Sequence, residues 1–223
     1  MNVKLLTVLA LGAGLAHAAS DAADRLAAAA DSLKEVMGTP DKAIPQNLLN
    51  KAQCIVIVPG LKKAAFVVGA KYGKGFVNCR SADGVGWSAP GGIRVEGGSF
   101  GFQIGGQETD VFMLVMNQKG MDRLLSDKFT LGADASVAAG PVGRSTQAET
   151  DAALTAEILT WSRSKGLFAG ISLSGATLRE DADWDKELYG HPIKNREVIT
   201  GKTDPPAAAA GLMAELNKYS SRK

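Results

Sequence analysis

A glycine-rich stretch of β-branched and aromatic residues between positions 54 and 115 constrains the fold most. It opens with "CIVIVPG", an apolar run ended by a Pro-Gly pair, and continues through "GGIRVEGGSFGFQIGGQETDVFMLVMN". Glycine within strands marks bulges, bends or close backbone approach, so this density predicts a strongly curved antiparallel β-sheet or a partial barrel. No long helices alternate with these strands, which excludes a doubly wound parallel sheet. The glycines concerned are Gly91, Gly92, Gly97, Gly98, Gly101, Gly105 and Gly106.

The segment "AAFVVGAKYGKGFVNCR" within this stretch reads as a β-hairpin. Residues 66–68 and 76–78 form its two arms, and the glycine- and lysine-bearing residues between them form its turn. Two further strands are predicted in "AEILTWSRSKGLFAGISLSGATLRE".

Helices are predicted on both sides of the strands. In "SDAADRLAAAADSLKEVM" the apolar residues recur at helical spacing, and Gly38 and Pro40 end the helix. Short helices follow in "AIPQNLLNKA", in "QKGMDRLLSDKF" and around Trp184, and a terminal helix carries Leu212 and Leu216. The fold class is therefore α+β, a curved sheet flanked by N- and C-terminal helices.

The first eighteen residues predict export. One early lysine precedes an apolar run that ends in Ala16-His17-Ala18, the pattern of a secretory signal peptide with its cleavage site. That run is shorter than the roughly 20 residues that a spanning helix needs. We therefore expect a signal peptide at 1–18 and one domain at 19–223, exported to the periplasm or cell envelope and possibly secreted.

The two cysteines, Cys54 and Cys79, predict a single disulfide in an exported protein. The alternative is two small buried side chains on strands that never meet. In a simple meander an intervening strand would separate the cysteines by about 9–10 Å, beyond bridging reach. The bond therefore requires the Cys54 strand to lie beside the Cys79 strand, or the chain ends to converge.

Charge and composition argue against several classes of function. Loss of residues 1–18 removes Lys4 and lowers the formal net charge from +2 to +1, so an extended nucleic-acid-binding surface is not expected. After cleavage His191 is the one remaining histidine, and clustered Cys/His metal ligands are lacking. Glycine motifs for nucleotide phosphates are also lacking. We expect no metal and no cofactor.

A catalytic interpretation rests on Ser162 and Lys165, which stand in S-x-x-K spacing. Enzymes that use this motif carry it at the start of a helix, whereas the sequence here reads as extended, and the companion S-D-N and K-T-G signatures are lacking. We therefore predict that the protein is not an enzyme. A hydrolase that uses Ser162 and Lys165 is the weaker alternative.

Basic residues in loops and on one strand predict a site for anionic headgroups. Lysines at 62 and 63 are placed in a strand connection and those at 71 and 74 in the hairpin turn, while Arg163 and Lys165 alternate with serines on one strand face. Cations beside glycine-rich turns favour anionic lipid, although ordinary solubilising charge is the alternative. The candidate residues are Lys62, Lys63, Lys71, Lys74, Arg144, Arg163 and Lys165.

Five motifs follow one another along the chain in a characteristic order. They are "CIVIVPGLKKAAFVVGAKYGKGFV", "GWSAPGGI", "GFQIGGQETDVFMLVMN", "LGADASVAAGPVGR" and "SRSKGLFAGISLSGATL". Together they resemble the SYLF domain family, whose members include yeast actin-patch proteins.

The resemblance implies a non-enzymatic module that binds phosphoinositides or other anionic phospholipids, and some relatives bind actin. In an exported protein actin is not an expected partner. The expected partner is an anionic phospholipid or membrane surface. The alternative is an exported structural or protein-interaction module that has lost lipid binding.

Overall fold

The computed structural model describes residues 21–39, 43–81, 84–142, 155–171, 173–201 and 203–221. The predicted signal peptide and Arg144 lie outside these residues, and the side chains of residues 64–68 and 99–106 are not described. Within the described parts, no helix is long and apolar enough to cross a membrane.

Helix α1 covers Asp21–Met37, as its apolar spacing predicts. Its apolar stripe, which includes Leu26, Leu33 and Val36, is buried against strand β1 and the C-terminal helix. The other helices are α2 (Gln46–Lys51), α3 (Gln118–Leu124), α4 (Ala182–Tyr189), α5 (Asn195–Thr200) and α6 (Ala210–Ser220), the last preceded by a 3₁₀ turn at Ala207–Ala209.

Seven strands form one sheet. They are β1 (Cys54–Cys79), β2 (Gly91–Val115), β3 (Lys128–Thr130), β4 (Val137–Ala139), β5 (Ile158–Ser164), β6 (Leu167–Gly170) and β7 (Thr177–Glu180). The order is β3-β7-β2-β5-β4, with β1 on β2 and β6 on β5. The sheet curls into a half-barrel with helices at both ends of the chain, which confirms the α+β class. The prediction of a purely antiparallel sheet was wrong, because β4 runs parallel to β5 and the sheet is therefore mixed.

The long strands β1 and β2 pair along almost their whole length and double back together as one ribbon. Contacts between the two ends of β1 show the reversal. The sulfurs of Cys54 and Cys79 are bonded, and the amide of Arg80, just after β1, donates to the carbonyl of Gln53, just before it. Within the strand, Gly75 lies against the Ile57 carbonyl. We call the bend of this ribbon, residues 64–70 of β1 with residues 98–106 of β2, the arch. The two halves of β1 thus become neighbouring central strands of the sheet.

This arrangement corrects the predicted hairpin. Its expected turn, with Lys71 and Lys74, is part of the extended second half of β1 and pairs with β2, and Lys62 and Lys63 also lie within β1 rather than in a loop. The reason lies in the glycines. A Cβ on Gly75 would come within 2.0 Å of the Ile57 carbonyl oxygen, so this glycine permits close strand approach rather than a turn.

Both faces of the central sheet are buried, which explains its continuous apolar runs. Side chains alternate along a strand. Ile55 and Ile57 of β1 join the core beneath α1 and α6, while Val56 and Val58 join a second core on the opposite face. The run at the end of β2 divides in the same way, with Phe112 in the first core and Met113 in the second.

Cys54 and Cys79 are joined by a disulfide with an S–S distance of 2.01 Å. The doubling back of β1 brings them together, because it places the Cys54 strand directly beside the Cys79 strand. The intervening strand that would have separated the cysteines does not exist, since residues 66–68 lie in the arch.

Arg80 fastens the C-terminal helix to this end of the sheet. Its guanidinium donates hydrogen bonds to the carbonyl oxygens of Leu49, Ala52 and Ser220, at 2.9, 3.3 and 2.5 Å, and to the Ser220 hydroxyl. The guanidinium carbon also lies 3.8 Å from the centre of the Trp87 ring. Only 7% of Arg80 is exposed, so a buried cation joins α2, β1 and α6.

Candidate functional site

Three lysines of β1 lie where the ribbon enters and leaves the arch. Lys62 and Lys63 lie at the end of the first half of β1, and Lys71 begins the returning half. Lys62 is exposed and Lys63 partly so, while Lys71 is 9% exposed. We call these three residues the arch lysines. Among the described residues, none of them has a carboxylate within 4.0 Å.

The electrostatics of the arch lysines favour an anion. Burial lowers the pKa of Lys71, and the positive charge of Lys63 lowers it further. Lys63 and Lys71 therefore repel each other, and among the described residues no carboxylate lies within 4.0 Å of either one. A bound anionic group would relieve this repulsion and help to keep Lys71 protonated.

The β5–β6 turn adds a fourth lysine at the same end of the sheet. The Ser164 hydroxyl donates to the Glu108 carbonyl at 3.2 Å, and Glu108 is the β2 residue opposite Lys62. The next residue, Lys165, is exposed and has a φ of 48°, so it belongs to the turn and not to the predicted strand face. Leu167, just after the turn, is 72% exposed.

Two other predicted lipid-binding residues are engaged elsewhere. Lys74 Nζ lies 2.7 Å from Asp181 Oδ2 and 4.6 Å from the centre of the Trp184 ring. Arg163 is bound to Asp110 through Nε at 3.1 Å and Nη2 at 2.5 Å, and its Nη1 lies 2.5 Å from Glu35. Lys74 and Arg163 are therefore paired with carboxylates, and Arg144 lies outside the described residues.

The Arg163 pair belongs to a network that fixes α1 on the sheet. Asp110 also accepts hydrogen bonds from the Ser32 hydroxyl at 3.1 Å and from the Gly60 amide at 2.9 Å. Arg25 of α1 donates to the Pro59 carbonyl at 2.9 Å. Because its apolar stripe is buried and its polar groups are engaged in this way, α1 serves as a packed element of the domain.

The serine of the S-x-x-K motif sits in the middle of the sheet. Ser162 lies in β5, where it pairs with Val111 of β2 on one side and Ala169 of β6 on the other. Extended strand advances about 3.3 Å per residue, so Lys165 does not stack above Ser162 as it would on a helix. In the described part of the chain, no group of three or more potential ligand side chains is placed to hold a metal ion.

We predict that Ser162 is chemically silent. Replacing it with alanine should change no hydrolytic activity, and a fluorophosphonate or β-lactam should leave the wild-type serine unlabelled, because no base is placed beside it by the motif. Intact-protein mass spectrometry checks this directly. Stoichiometric labelling that disappears in Ser162→Ala would contradict the prediction.

A buried polar cluster joins the helices after β7 to the start of β2. Asp185 is fully buried, and its Oδ1 accepts a hydrogen bond from the Gly92 amide at 2.6 Å. The side-chain amide of Asn195 donates to the Gly92 carbonyl at 2.7 Å. The pKa of Asp185 is raised to about 7, mainly by burial and also by the charges of Glu180 and Asp181, whereas the hydrogen bond from Gly92 and the charge of Lys194 lower it.

We expect Asp185 to make stability pH-dependent. The folded state keeps a proton on this carboxyl that the unfolded chain loses near pH 4, so the stabilisation is complete below about pH 4 and is lost as the pH rises to about 7. Asp185→Asn should remove this loss of stability with rising pH. Relative to the variant, the wild-type free energy of unfolding should fall by about 1–3 kcal/mol across this range.

Urea unfolding at several pH values measures this difference. Asp183→Asn, on the exposed side of the same helix, is the matched control and should follow the wild type. Parallel curves for wild type and Asp185→Asn would show that the carboxyl does not change its protonation on folding.

The fold and the site together define an α+β half-barrel whose doubled ribbon carries uncompensated lysines at one end. Comparison with known proteins then assigns the family. Residues 96–219 match the family model Ysc84, described as "Las17-binding protein actin regulator". The chain belongs to this family, the SYLF domain proteins.

The relatives are longer proteins. The chain is 33% identical over 184 residues to the SH3 domain-containing YSC84-like protein 1 of Homo sapiens, covering 82% of this chain and 53% of that protein. It is 36% identical over 188 residues to the SH3 domain-containing protein PJ696.02 of Schizosaccharomyces pombe, covering 82% and 43%. Protein YSC84 of Saccharomyces cerevisiae is 34% identical over 180 residues, covering 79% and 38%. The chain thus spans about half or less of these relatives.

Proposed function

We propose that this protein is an exported, non-enzymatic lipid-binding protein that recognises anionic phospholipid headgroups at a membrane surface. The observation that carries the proposal is the group of arch lysines, held together without an acidic partner among the described residues. Lys165 reinforces them from the neighbouring turn. The predicted signal peptide supports an envelope location.

The charges at this end of the sheet are sufficient for membrane binding. A basic residue near an anionic surface contributes about 1 kcal/mol, and the attraction decays within a Debye length of about 8 Å at physiological salt. Two glutamates of β2 lie near these lysines in the ribbon: Glu108 is opposite Lys62, and Glu96, next to the partner of Lys71, is paired with Arg94 and Arg179. Binding should therefore be measurable and salt-sensitive despite the nearly neutral whole chain.

We predict that Lys62→Glu with Lys63→Glu weakens binding to acidic vesicles. Each change replaces attraction by repulsion at a site that is at least partly exposed. Half-maximal sedimentation of the variant should therefore need at least about tenfold more lipid. Co-sedimentation with phosphatidylglycerol-containing vesicles measures it, with phosphatidylcholine vesicles as the neutral comparison. Near-ultraviolet circular dichroism checks that the fold is retained.

A matched control changes the charge by the same amount at the other end of the sheet. Lys51 ends α2 and Lys218 lies near the end of α6, both close to the elements that Arg80 joins. The pair Lys51→Glu and Lys218→Glu should sediment almost as the wild type does. Wild-type protein that ignores acidic vesicles even at low salt would contradict lipid binding, and a protein-interaction role would replace it.

A further inference from the structure

We infer that the arch itself enters the membrane interface, so that the protein binds lipid by a shallow β-ribbon insertion with lysines at its base. This inference rests on the proposed function and adds the inserting element and its depth. It is carried by three features of the ribbon: its backbone topology, its sequence, and the exposed side chains at its base.

The topology leaves the arch as a two-stranded extension of the sheet. Its strands pair with each other through contacts such as Val68 with Phe100 and Ala70 with Gly98. The flanking strands do not reach it, because β5 pairs only with Asp110–Val115 of β2, and β7 only with residues 93–96. The arch therefore extends beyond β5 and β7, the strands that flank other parts of β2.

The sequence of the arch is apolar and uncharged. Its two strands read "AAFVVGA" and "GSFGFQIGG", which include Phe66, Phe100 and Phe102. Charged residues begin at its base, with the arch lysines on β1 and Glu96 and Glu108 on β2. An apolar, aromatic segment with lysines at its base matches the layers of a membrane surface, where acyl chains lie beneath anionic headgroups.

Described side chains at the base continue the same pattern. Tyr72, which follows Lys71, is 47% exposed. Leu167, the first residue of β6 and the strand partner of Ser164, is 72% exposed. Aromatic and apolar side chains at the level of the lysines suit the interfacial zone, and both stand at the end of the sheet from which the arch extends.

The backbone limits the depth of insertion. A two-stranded ribbon has unpaired amide and carbonyl groups along its edges, and such groups cost several kcal/mol each in hydrocarbon. The arch can therefore enter the headgroup and upper acyl region, about 5–10 Å, but cannot cross the bilayer. Salt should weaken the lysine contribution and leave the apolar contribution in place.

The test places a tryptophan in the arch of the full chain. Phe100→Trp is the probe, and Val85→Trp is its control, because Val85 is 55% exposed beside the end of α6, where Gly86 donates to the Ser221 carbonyl. The three native tryptophans are buried and supply a constant background. Acidic vesicles with brominated acyl chains should quench the Phe100→Trp emission and shift it to the blue.

Depth is read from the position of bromine. Quenching should be stronger when bromine is near the headgroup end of the acyl chain than when it is near the middle of the acyl chain. Val85→Trp should show neither quenching nor a blue shift. Phe102→Asp should reduce binding by about tenfold or more while retaining the salt sensitivity given by the arch lysines.

The outcomes separate the two proposals. Sedimentation with acidic vesicles without quenching of Phe100→Trp overturns insertion and leaves headgroup binding intact. Failure to sediment overturns both. A dimer in size-exclusion chromatography that Phe102→Asp dissociates would assign the arch to a second copy of the chain and would also overturn insertion.

Discussion

Arg80→Ala is expected to cost about 3–5 kcal/mol in the free energy of unfolding, because several buried carbonyls lose a charged donor and each such loss costs about 1–3 kcal/mol. The guanidinium satisfies acceptors on two separate elements: the Leu49 and Ala52 carbonyls at the end of α2, and Ser220 at the end of α6. Alanine would leave these buried acceptors without their donor and would remove the stacking on Trp87.

Urea unfolding measures the loss, and hydrogen exchange should show the earliest opening in α6. Arg80→Lys should recover little, because an ammonium group does not have the planar fork that reaches several acceptors at once. Arg94→Ala is the matched control; its side chain is 38% exposed and pairs with Glu96, so the expected cost is below about 1 kcal/mol. A similar cost for the two alanine variants would contradict the anchoring role of Arg80.

Removal of the disulfide is the second large effect. With a sequence separation of 25 between the bonded cysteines, the loop-entropy relation gives roughly 3–4 kcal/mol. Replacing both cysteines with alanine should lower stability by about this amount, and reduction of the wild type should do the same.

Thiol titration of oxidised, denatured protein provides the independent check and should find no free thiol. Two titratable thiols would show that the bond does not form in the protein. Unchanged stability after reduction, with the bond shown to be broken, would show instead that β1 holds its doubled geometry through its hydrogen bonds and cores alone.

Much of this architecture can be predicted from local pattern. The spacing of apolar residues predicts α1 and its end at Met37, and the β-branched run from Cys54 to Val58 predicts a strand. These features depend on residue periodicity, which the sequence displays directly.

The place where β1 doubles back could not be predicted in the same way. Glycine beside lysine at 71–75 marks a turn or a close strand contact equally well, and the choice depends on whether Ile57 lies alongside Gly75. That is a tertiary contact. The roles of Arg80 and Asp185 escape sequence reasoning for the same reason, since their partners lie far away in the chain.

The sequence shows which basic residues are neighbours in the chain, but it does not show which of them meet distant acids. Lys62 and Lys63 remain together as adjacent residues. Charge alone groups Arg163 with them, but Asp110 and Glu35 neutralise it through contacts that only the folded chain creates. The charges in a sequence identify candidate anion-binding residues, and the fold determines which of them are paired with carboxylates.

The doubled ribbon also has a mechanical consequence. On the proposed insertion, a membrane that holds the arch would pull along the strands, and the hydrogen bonds that join β1 and β2 to the rest of the sheet would bear the load together, in shear. At the far end, the Cys54–Cys79 bond joins the two ends of β1 and prevents them from sliding apart. The inserted end and the covalently closed end would then be opposite ends of the same ribbon.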